Sequence, residues 1–265
     1  MINIKTVLSK TRNACQTYKM IEAGDKIAVG LSGGKDSVVL LAALARLRKF
    51  YEVPFDIAAI TLDPVFGGVE TDYSPLVRMC EELDVEYVIK RTDIAKVVFD
   101  VRDEQNPCSL CARIRRGALH NAAKETDCNK LALGHHEDDA AETFLMNLFN
   151  SGTAGCFSPV TYMSEKDITV IRPLIFLTEK EIARAVTRTE LPVVKSKCPA
   201  DGNTERQSMK KRILELERDY PALRRKITGA MQRANISGWG KIDGVRSSRP
   251  TVATPLQQVH DENNA

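Results

Sequence analysis

The sequence predicts an α/β fold, a doubly wound parallel five-stranded sheet followed by a small helical C-terminal module. Three observations carry this. Short apolar runs alternate with helical patterns between residues 26 and 174, a glycine-containing polar hexapeptide joins the first run to the first helix, and from Glu205 onward only helical periodicity is left. Strand and helix in turn favour parallel pairing, since each crossover covers a sheet face, and such sheets bind ligands at the carboxyl ends of their strands.

Taken in order, residues 1–25 read as a helical segment. Residues 26–31, 55–63, 86–90, 130–134 and 168–174 are apolar runs of strand length, and residues 36–50, 71–83, 109–124 and 137–150 carry helical patterns. An α/β domain therefore occupies residues 26–200. Residues 201–240 form a basic helical module. In it Met209, Ile213, Leu216 and Tyr220, then Leu223, Ile227, Ala230 and Ala234, make a core-facing stripe broken at Pro221. Residues 241–265, with Gly, Ser, Pro, Asn and scattered charge, read as a flexible tail.

Hydrophobic residues are 43% and charged residues 28% of the 265, an ordinary globular balance with material for a sizeable core. No apolar run approaches the roughly 20 residues of a membrane span. Met1-Ile2-Asn3-Ile4-Lys5 leads into a polar segment instead of a secretory signal, so a cytoplasmic protein with no membrane partner is expected. The net charge of +3 is too small to argue for nucleic acid by itself. Its distribution says more: between Glu205 and Arg233 nine Lys and Arg stand against four acids, leaving the rest of the chain at −2. Such a helical face is either merely solvated or, beside an active site, suited to a phosphate backbone.

Ser32-Gly33-Gly34-Lys35-Asp36-Ser37 reads as an anion cradle. Paired glycines let the backbone approach an oxyanion, and the helix that follows aims its unpaired N–H groups and positive dipole end at the same point. Ser32 and Ser37 add hydroxyl donors and Lys35 adds charge. The Gly-x-x-x-x-Gly-Lys-Ser/Thr pattern of a Walker loop is absent, which argues against ordinary transfer of a terminal phosphate. Asp63 and Gly134-His135-His136-Glu137-Asp138-Asp139 fall at the ends of the second and fourth strands, where this fold gathers ligands. His135 and His136 read as shaping a pocket, not as acid–base groups.

Seven cysteines, Cys15, Cys80, Cys108, Cys111, Cys128, Cys156 and Cys198, are an odd number in a cytosolic context, so a disulfide framework is not expected. Cys108 and Cys111 follow Pro107 and open a helix bearing Arg113, Arg115 and Arg116; both features lower a thiol's pKa below the free value of about 8.5. Cys198 lies between Lys195-Ser196-Lys197 and Pro199, at the junction with the basic module, an unusual place for a buried structural thiol. Cys80 and Cys128 read as inert, and Cys15 and Cys156 stay open. Three thiolates without an obvious fourth suit a [4Fe–4S] cluster with one iron open better than a closed zinc site. The alternatives are a redox dithiol or a zinc site completed by histidine.

The hexapeptide resembles the SGGxDS signature of the PP-loop ATP pyrophosphatases, which split ATP to AMP and pyrophosphate to adenylate a substrate. The Cys108-Ser109-Leu110-Cys111-Ala112-Arg113-Ile114-Arg115-Arg116-Gly117 run narrows the likeness, together with Met20-Ile21-Glu22-Ala23-Gly24-Asp25, Gly134-His135-His136-Glu137-Asp138-Asp139-Ala140-Ala141-Glu142-Thr143, Ile171-Arg172-Pro173-Leu174 and Cys198. Over roughly residues 15–236 the chain is similar to the TtcA-type tRNA 2-thiocytidine synthetases.

That resemblance implies an adenine nucleotide alpha hydrolase-like sheet, with ATP held by Ser32, Gly33, Gly34, Lys35, Asp36, Ser37, Asp63 and Gly134. It also implies a [4Fe–4S] cluster on Cys108, Cys111 and Cys198, and conversion of an anticodon-loop cytidine of tRNA to 2-thiocytidine. In this scheme Asp36 and Asp139 are the candidates for holding Mg²⁺, with Asp138 assisting, since a hard cation prefers carboxylate oxygens. Helix capping is the alternative for one of Asp138 and Asp139. Asp63 either contacts the nucleotide or caps its own loop. Arg115, one turn after Cys111, steadies phosphate or base. A cysteine desulfurase or free sulfide donates the sulfur, and a homodimer is the family expectation.

The chain departs from bacterial members at residues 64–68 and 199–203, which leaves another base such as uridine open. It lacks the paired terminal Cys-x-x-Cys units of thermophile-type 2-thiouridine synthetases. Cluster-free ATP-dependent amidation or lysidine formation on tRNA, and a nucleotide- or redox-sensing binding protein, are the competing readings.

Overall fold

The computed structural model describes residues 5–101, 107–195, 197–198 and 204–240. Helix α1 (Lys5–Thr17) precedes β1 (Lys26–Gly30), α2 (Lys35–Leu47), β2 (Asp56–Asp63), α3 (Ser74–Glu82), β3 (Glu86–Arg91), α4 (Pro107–Glu125), β4 (Lys130–Ala132) and α5 (Glu137–Ser151). Then follow β5 (Val160–Met163), β6 (Ile168–Ile171), α6 (Glu179–Thr189), α7 (Glu205–Asp219) and α8 (Leu223–Arg233). The expected tail at 241–265 and the junction at 199–203 lie outside the described residues.

Among the described residues the sheet has six strands in the order β3-β2-β1-β4-β6-β5. The five expected strands are present and parallel; β5, antiparallel to β6, corrects the count. It forms because a tight turn at 164–167 returns the chain onto β6, pairing Val160 with Ile171 and Met163 with Ile168. Strand order reverses at β1, which pairs with β2 on one side and β4 on the other, and a crevice opens at the carboxyl edge of such a reversal.

The two sheet faces are covered unequally. One carries the main core, in which α2, buried almost throughout from Ser37 to Leu47, packs with α1, α3, α5 and α6. The other is covered by α4, whose Ala122 and Ala123 meet Ala28, Ala58, Ile60, Leu131 and Val170. Small residues at Ala28 and Ala58 let that helix lie close, which brings its amino-terminal half to the mouth of the crevice.

Helices α7 and α8 break at Pro221 as expected, and Met209, Ile213 and Ile227 join the main core. Leu223 packs against it and Leu216 is half-buried, but the remainder of the expected stripe is corrected: Tyr220 is 56% exposed, and Ala230 and Ala234 are exposed, whereas Arg224, Thr228 and Met231 are buried. Helix α8 turns this face inward because Asp138 of α5 and Glu217 of α7 both meet the Arg224 guanidinium. Trp239 is fully buried, donating from Nε1 to the Phe157 carbonyl at 2.8 Å, while the Tyr18 hydroxyl donates to its carbonyl at 2.9 Å. Among the described residues no helix is long and apolar enough to cross a membrane.

Candidate active site

Strand β1 delivers residues 31–37 to the switch point. Gly33 has φ +84, in the left-handed region, and a Cβ there would lie 2.9 Å from Val194 Cβ, so both conformation and space call for glycine. Gly34 is the N-cap of α2 and no side chain caps it, which leaves the first N–H groups of the helix for a ligand. Ser37 Oγ donates to the Gly34 carbonyl at 2.9 Å, Ser32 Oγ donates to Ser37 Oγ at 3.2 Å, and the Gly34 N–H makes a long 3.4 Å bond to Ser32 Oγ. Lys35 Nζ lies 3.0 Å from Asp36 Oδ2 and 3.3 Å from Glu179 Oε1. Burial works against its charge, but the two carboxylates outweigh it and hold its pKa above the usual lysine value.

The acidic side faces this cradle. Gly134 brings the end of β4 so near α2 that a Cβ would sit 3.1 Å from the Asp36 carbonyl carbon. His136 is the N-cap of α5: its Nδ1 accepts from the Asp139 N–H at 3.4 Å, and Asp139 Oδ2 accepts from the His136 N–H at 2.9 Å. His136 Nε2 lies 3.6 Å from Asp36 Oδ1 and 3.4 Å from Asp139 Oδ2. Asp36 Oδ1 is buried with no hydrogen-bond partner. Asp139 Oδ1 meets Arg206 of α7 at 2.9 Å, and the same guanidinium donates to Thr143 Oγ1 at 3.1 Å. Asp138 is engaged elsewhere. Its Oδ2 accepts from the Glu179 N–H at 2.7 Å, and its Oδ1 pairs with Arg224 Nε at 3.0 Å.

Cradle and acids share a cavity of about 430 Å³ whose lining includes Ser32, Asp36, Gly134, His135, Asp139 and, from α4, Arg115. That is the size of a nucleotide or drug-sized pocket. His135 stands on its wall with a buried Nδ1 that has no partner and its ring 4.8 Å from that of Phe157, over which Arg172 lies at 5.0 Å. Burial, then the Arg172 charge, pushes the His135 pKa down to about 4. Behind the wall, burial and then the Asp139 charge push Glu142 up to about 7.

Of the expected site residues, Gly33, Gly34 and Lys35 of the loop, Asp63 and Asp138 are not among the cavity's lining residues. Asp63 is buried, and both of its oxygens hold its own loop, accepting from the Val65 and Thr71 N–H groups at 3.1 Å each. Cys111 is partly exposed on α4, beside Ala112, which lines the cavity, and one turn before Arg115. Cys198 is also partly exposed, and the adjacent Lys197 donates to the Glu70 carbonyl at 3.1 Å, at the carboxyl end of β2 and β3. Cys108 falls in the first turn of α4, but its side chain lies outside the described residues. In contrast, burial pushes the thiols of Cys15, Cys80 and Cys156 up to about 12, so they are poor thiolates.

A sequence profile of the PP-loop domain family matches residues 6–217. The tRNA-cytidine(32) 2-sulfurtransferase of Syntrophotalea carbinolica is 38% identical over 224 residues, covering 83% of this chain and 86% of that protein. The chain belongs to the PP-loop family of tRNA-cytidine(32) 2-sulfurtransferases. A second member, from Geobacter sulfurreducens, is 36% identical over 236 residues, covering 87% of this chain and 90% of its own. Among solved structures, the U34-tRNA thiolase NcsA from Methanococcus maripaludis, with its [4Fe-4S] cluster, is similar with a TM-score of 0.71 and 28% identity, covering 87% of this chain and 79% of that one.

Three site residues escaped the reading of this 2-sulfurtransferase family sequence. Glu179, which holds Lys35, follows Thr178 in a Thr-x-x-Glu capping box, a signal that marks the helix start but not the partner. Arg206 was visible only as one charge of a basic helix, and Glu142 only as a member of the Gly134–Thr143 motif. No local signal announces that Arg206 pairs with Asp139 or that Glu142 feels the charge of Asp139.

Proposed function

We propose that the protein is an ATP-dependent tRNA sulfurtransferase that activates the C2 oxygen of cytidine 32, the position named in its relatives, and replaces that oxygen with sulfur. The observation that carries this is the joint opening of the anion cradle and the Cys111-bearing helix on one cavity. Attack of the C2 oxygen on the α-phosphate forms an O–P bond, breaks the bond to the β-phosphate and expels pyrophosphate. Sulfide then adds at C2, and the old oxygen leaves with AMP.

The chain's own residues serve the first step directly. The Gly34 N–H, the open first turn of α2, and the Ser32 and Ser37 hydroxyls receive the pyrophosphate, while Lys35 meets its growing charge. Arg115 steadies the α-phosphate or the base from across the cavity. Asp36 fits a cation, since its buried Oδ1 has no other partner, and each Asp139 oxygen keeps a lone pair beyond Arg206 and the His136 N–H. When bound there, Mg²⁺ supplies positive charge to the phosphates. Cys111 and Cys198 suit a cluster because they are partly exposed, unlike the buried thiols. Bound by them and Cys108, a [4Fe–4S] cluster would supply an iron able to take up sulfide. The basic faces of α7 and α8 receive the tRNA backbone, and a cysteine desulfurase or free sulfide supplies the sulfur.

The test uses anaerobically reconstituted protein, ATP and tRNA. Pyrophosphate release stimulated by tRNA and 2-thiocytidine in the nucleoside digest are expected, with thiolation lost in Cys108→Ala, Cys111→Ala and Cys198→Ala. Thiolation that survives all three substitutions overturns the reading, and 2-thiouridine in place of 2-thiocytidine overturns the choice of base.

A further inference from the structure

We propose that Val194 is a positioning residue for the anion cradle; this rests on the reading of the loop as a pyrophosphate site. The Val194 N–H donates to the Gly33 carbonyl at 3.0 Å, and a side chain at Gly33 would meet Val194 Cβ at 2.9 Å. The Gly33 carbonyl and the Gly34 N–H belong to one trans peptide unit, in which the two groups point in opposite directions. Val194 grips the oxygen from behind and so aims the Gly34 N–H forward into the cradle. There its 3.4 Å bond to Ser32 Oγ is long enough for an anionic oxygen to replace with a shorter one. A peptide between two glycines is poorly oriented by its own sterics, because both residues tolerate several backbone conformations. An outside grip on the carbonyl therefore matters more here than at an ordinary turn.

Hydrogen bonds at the two ends of one amide polarise each other, so an anion on the Gly34 N–H strengthens the Val194 bond on the Gly33 carbonyl. Binding free energies are reciprocal: whatever factor the Val194 bond adds to anion affinity, the anion adds to formation of that bond.

The test uses the full chain without cluster, under anaerobic reducing conditions, with inorganic pyrophosphate and Mg²⁺ as the probe. Val194→Pro deletes the N–H and Val194→Ala keeps it. Calorimetric titration is expected to give about tenfold weaker pyrophosphate binding for Val194→Pro, the worth of one hydrogen bond, and a change within about twofold for Val194→Ala. In the wild type, saturating pyrophosphate is expected to slow hydrogen exchange of the Val194 amide, followed by nuclear magnetic resonance, by about the same tenfold factor. Wild-type affinity in Val194→Pro overturns the proposal, as does a wild-type Val194 exchange rate indifferent to pyrophosphate. The exchange arm needs no variant, so it decides the matter even if Val194→Pro does not fold. Failure of the wild type to bind pyrophosphate would overturn the reading of the loop itself, and neither arm depends on thiolation.

Discussion

Replacing Gly134 by alanine tests how tightly the two halves of the site are joined. The added Cβ would meet the Asp36 carbonyl carbon at 3.1 Å, its oxygen at 3.2 Å and its Cβ at 3.3 Å. Two of these are backbone atoms in the first turn of α2, so no rotamer change relieves the contact, and strand end and helix must part by a few tenths of an ångström. Overpacking of this kind costs about 1–3 kcal/mol. The stiffer unfolded chain returns about 0.4–1 kcal/mol, leaving a net loss of about 1–2 kcal/mol. At about 2–4 °C per kcal/mol for a chain of this size, the melting temperature falls by about 2–8 °C. Because the atoms displaced belong to Asp36, activity suffers more than stability. tRNA-stimulated pyrophosphate release is expected to drop more than about tenfold at a temperature where both proteins are folded. Calorimetry and a pyrophosphate assay read both quantities. A Gly134→Ala protein with wild-type melting and wild-type release would refute the argument from close approach.

Asp36→Asn is expected to melt within about 2 °C of the wild type, since it removes a half-exposed ion pair of small worth. Pyrophosphate release should nevertheless fall by about two orders of magnitude; a parallel loss of both would assign Asp36 to stability instead. Glu142, 4% exposed, is pushed up to about 7 by burial and by Asp139 and Asp138 of α5, against the attraction of Arg206 and Lys210 of α7. The native state then holds a proton that the unfolded chain has released, so stability falls as pH rises from about 4.5 to about 7, by about 3 kcal/mol when complete. Thermal melts of Glu142→Gln should therefore gain on the wild type at pH 8 and not at pH 5, and an equal gain at both would sink this account. The His135 ring, pushed down to about 4, should stay neutral in nuclear magnetic resonance titrations from pH 8 to pH 5; a midpoint near 6.5 contradicts it.

The sheet and the cradle were legible because their signals are local. The run ending at Gly30, the paired glycines and the apolar helix after them each report their own backbone. Strand β5 was missed because Val160–Met163 is short, half-exposed and stable only on β6, although its β-branched and aromatic residues before a polar turn gave a weak signal. Helix α6 announced itself by the Thr178 and Glu181 capping box, which went unused. The face of α8 could not be read because Arg224 goes inside: buried arginine contradicts any hydrophobic stripe, and its two partners, Glu217 of α7 and the distant Asp138, are set by the packing of three helices. Asp63 shows the opposite limit. Its place at a strand end was right, but whether a carboxylate there serves a ligand or its own loop depends on two N–H groups that sequence spacing does not aim.

The sequence holds a single tryptophan, Trp239, and the fold packs it against Phe157, the ring neighbour of His135 on the cavity wall. Its ring centroid is 6.4 Å from that of Phe157, which in turn stands 4.8 Å from His135. Ultraviolet fluorescence from this chain therefore comes with a built-in reporter, two rings removed from any molecule that enters the cavity, and nucleotide arrival can be followed by intrinsic emission without attaching a dye.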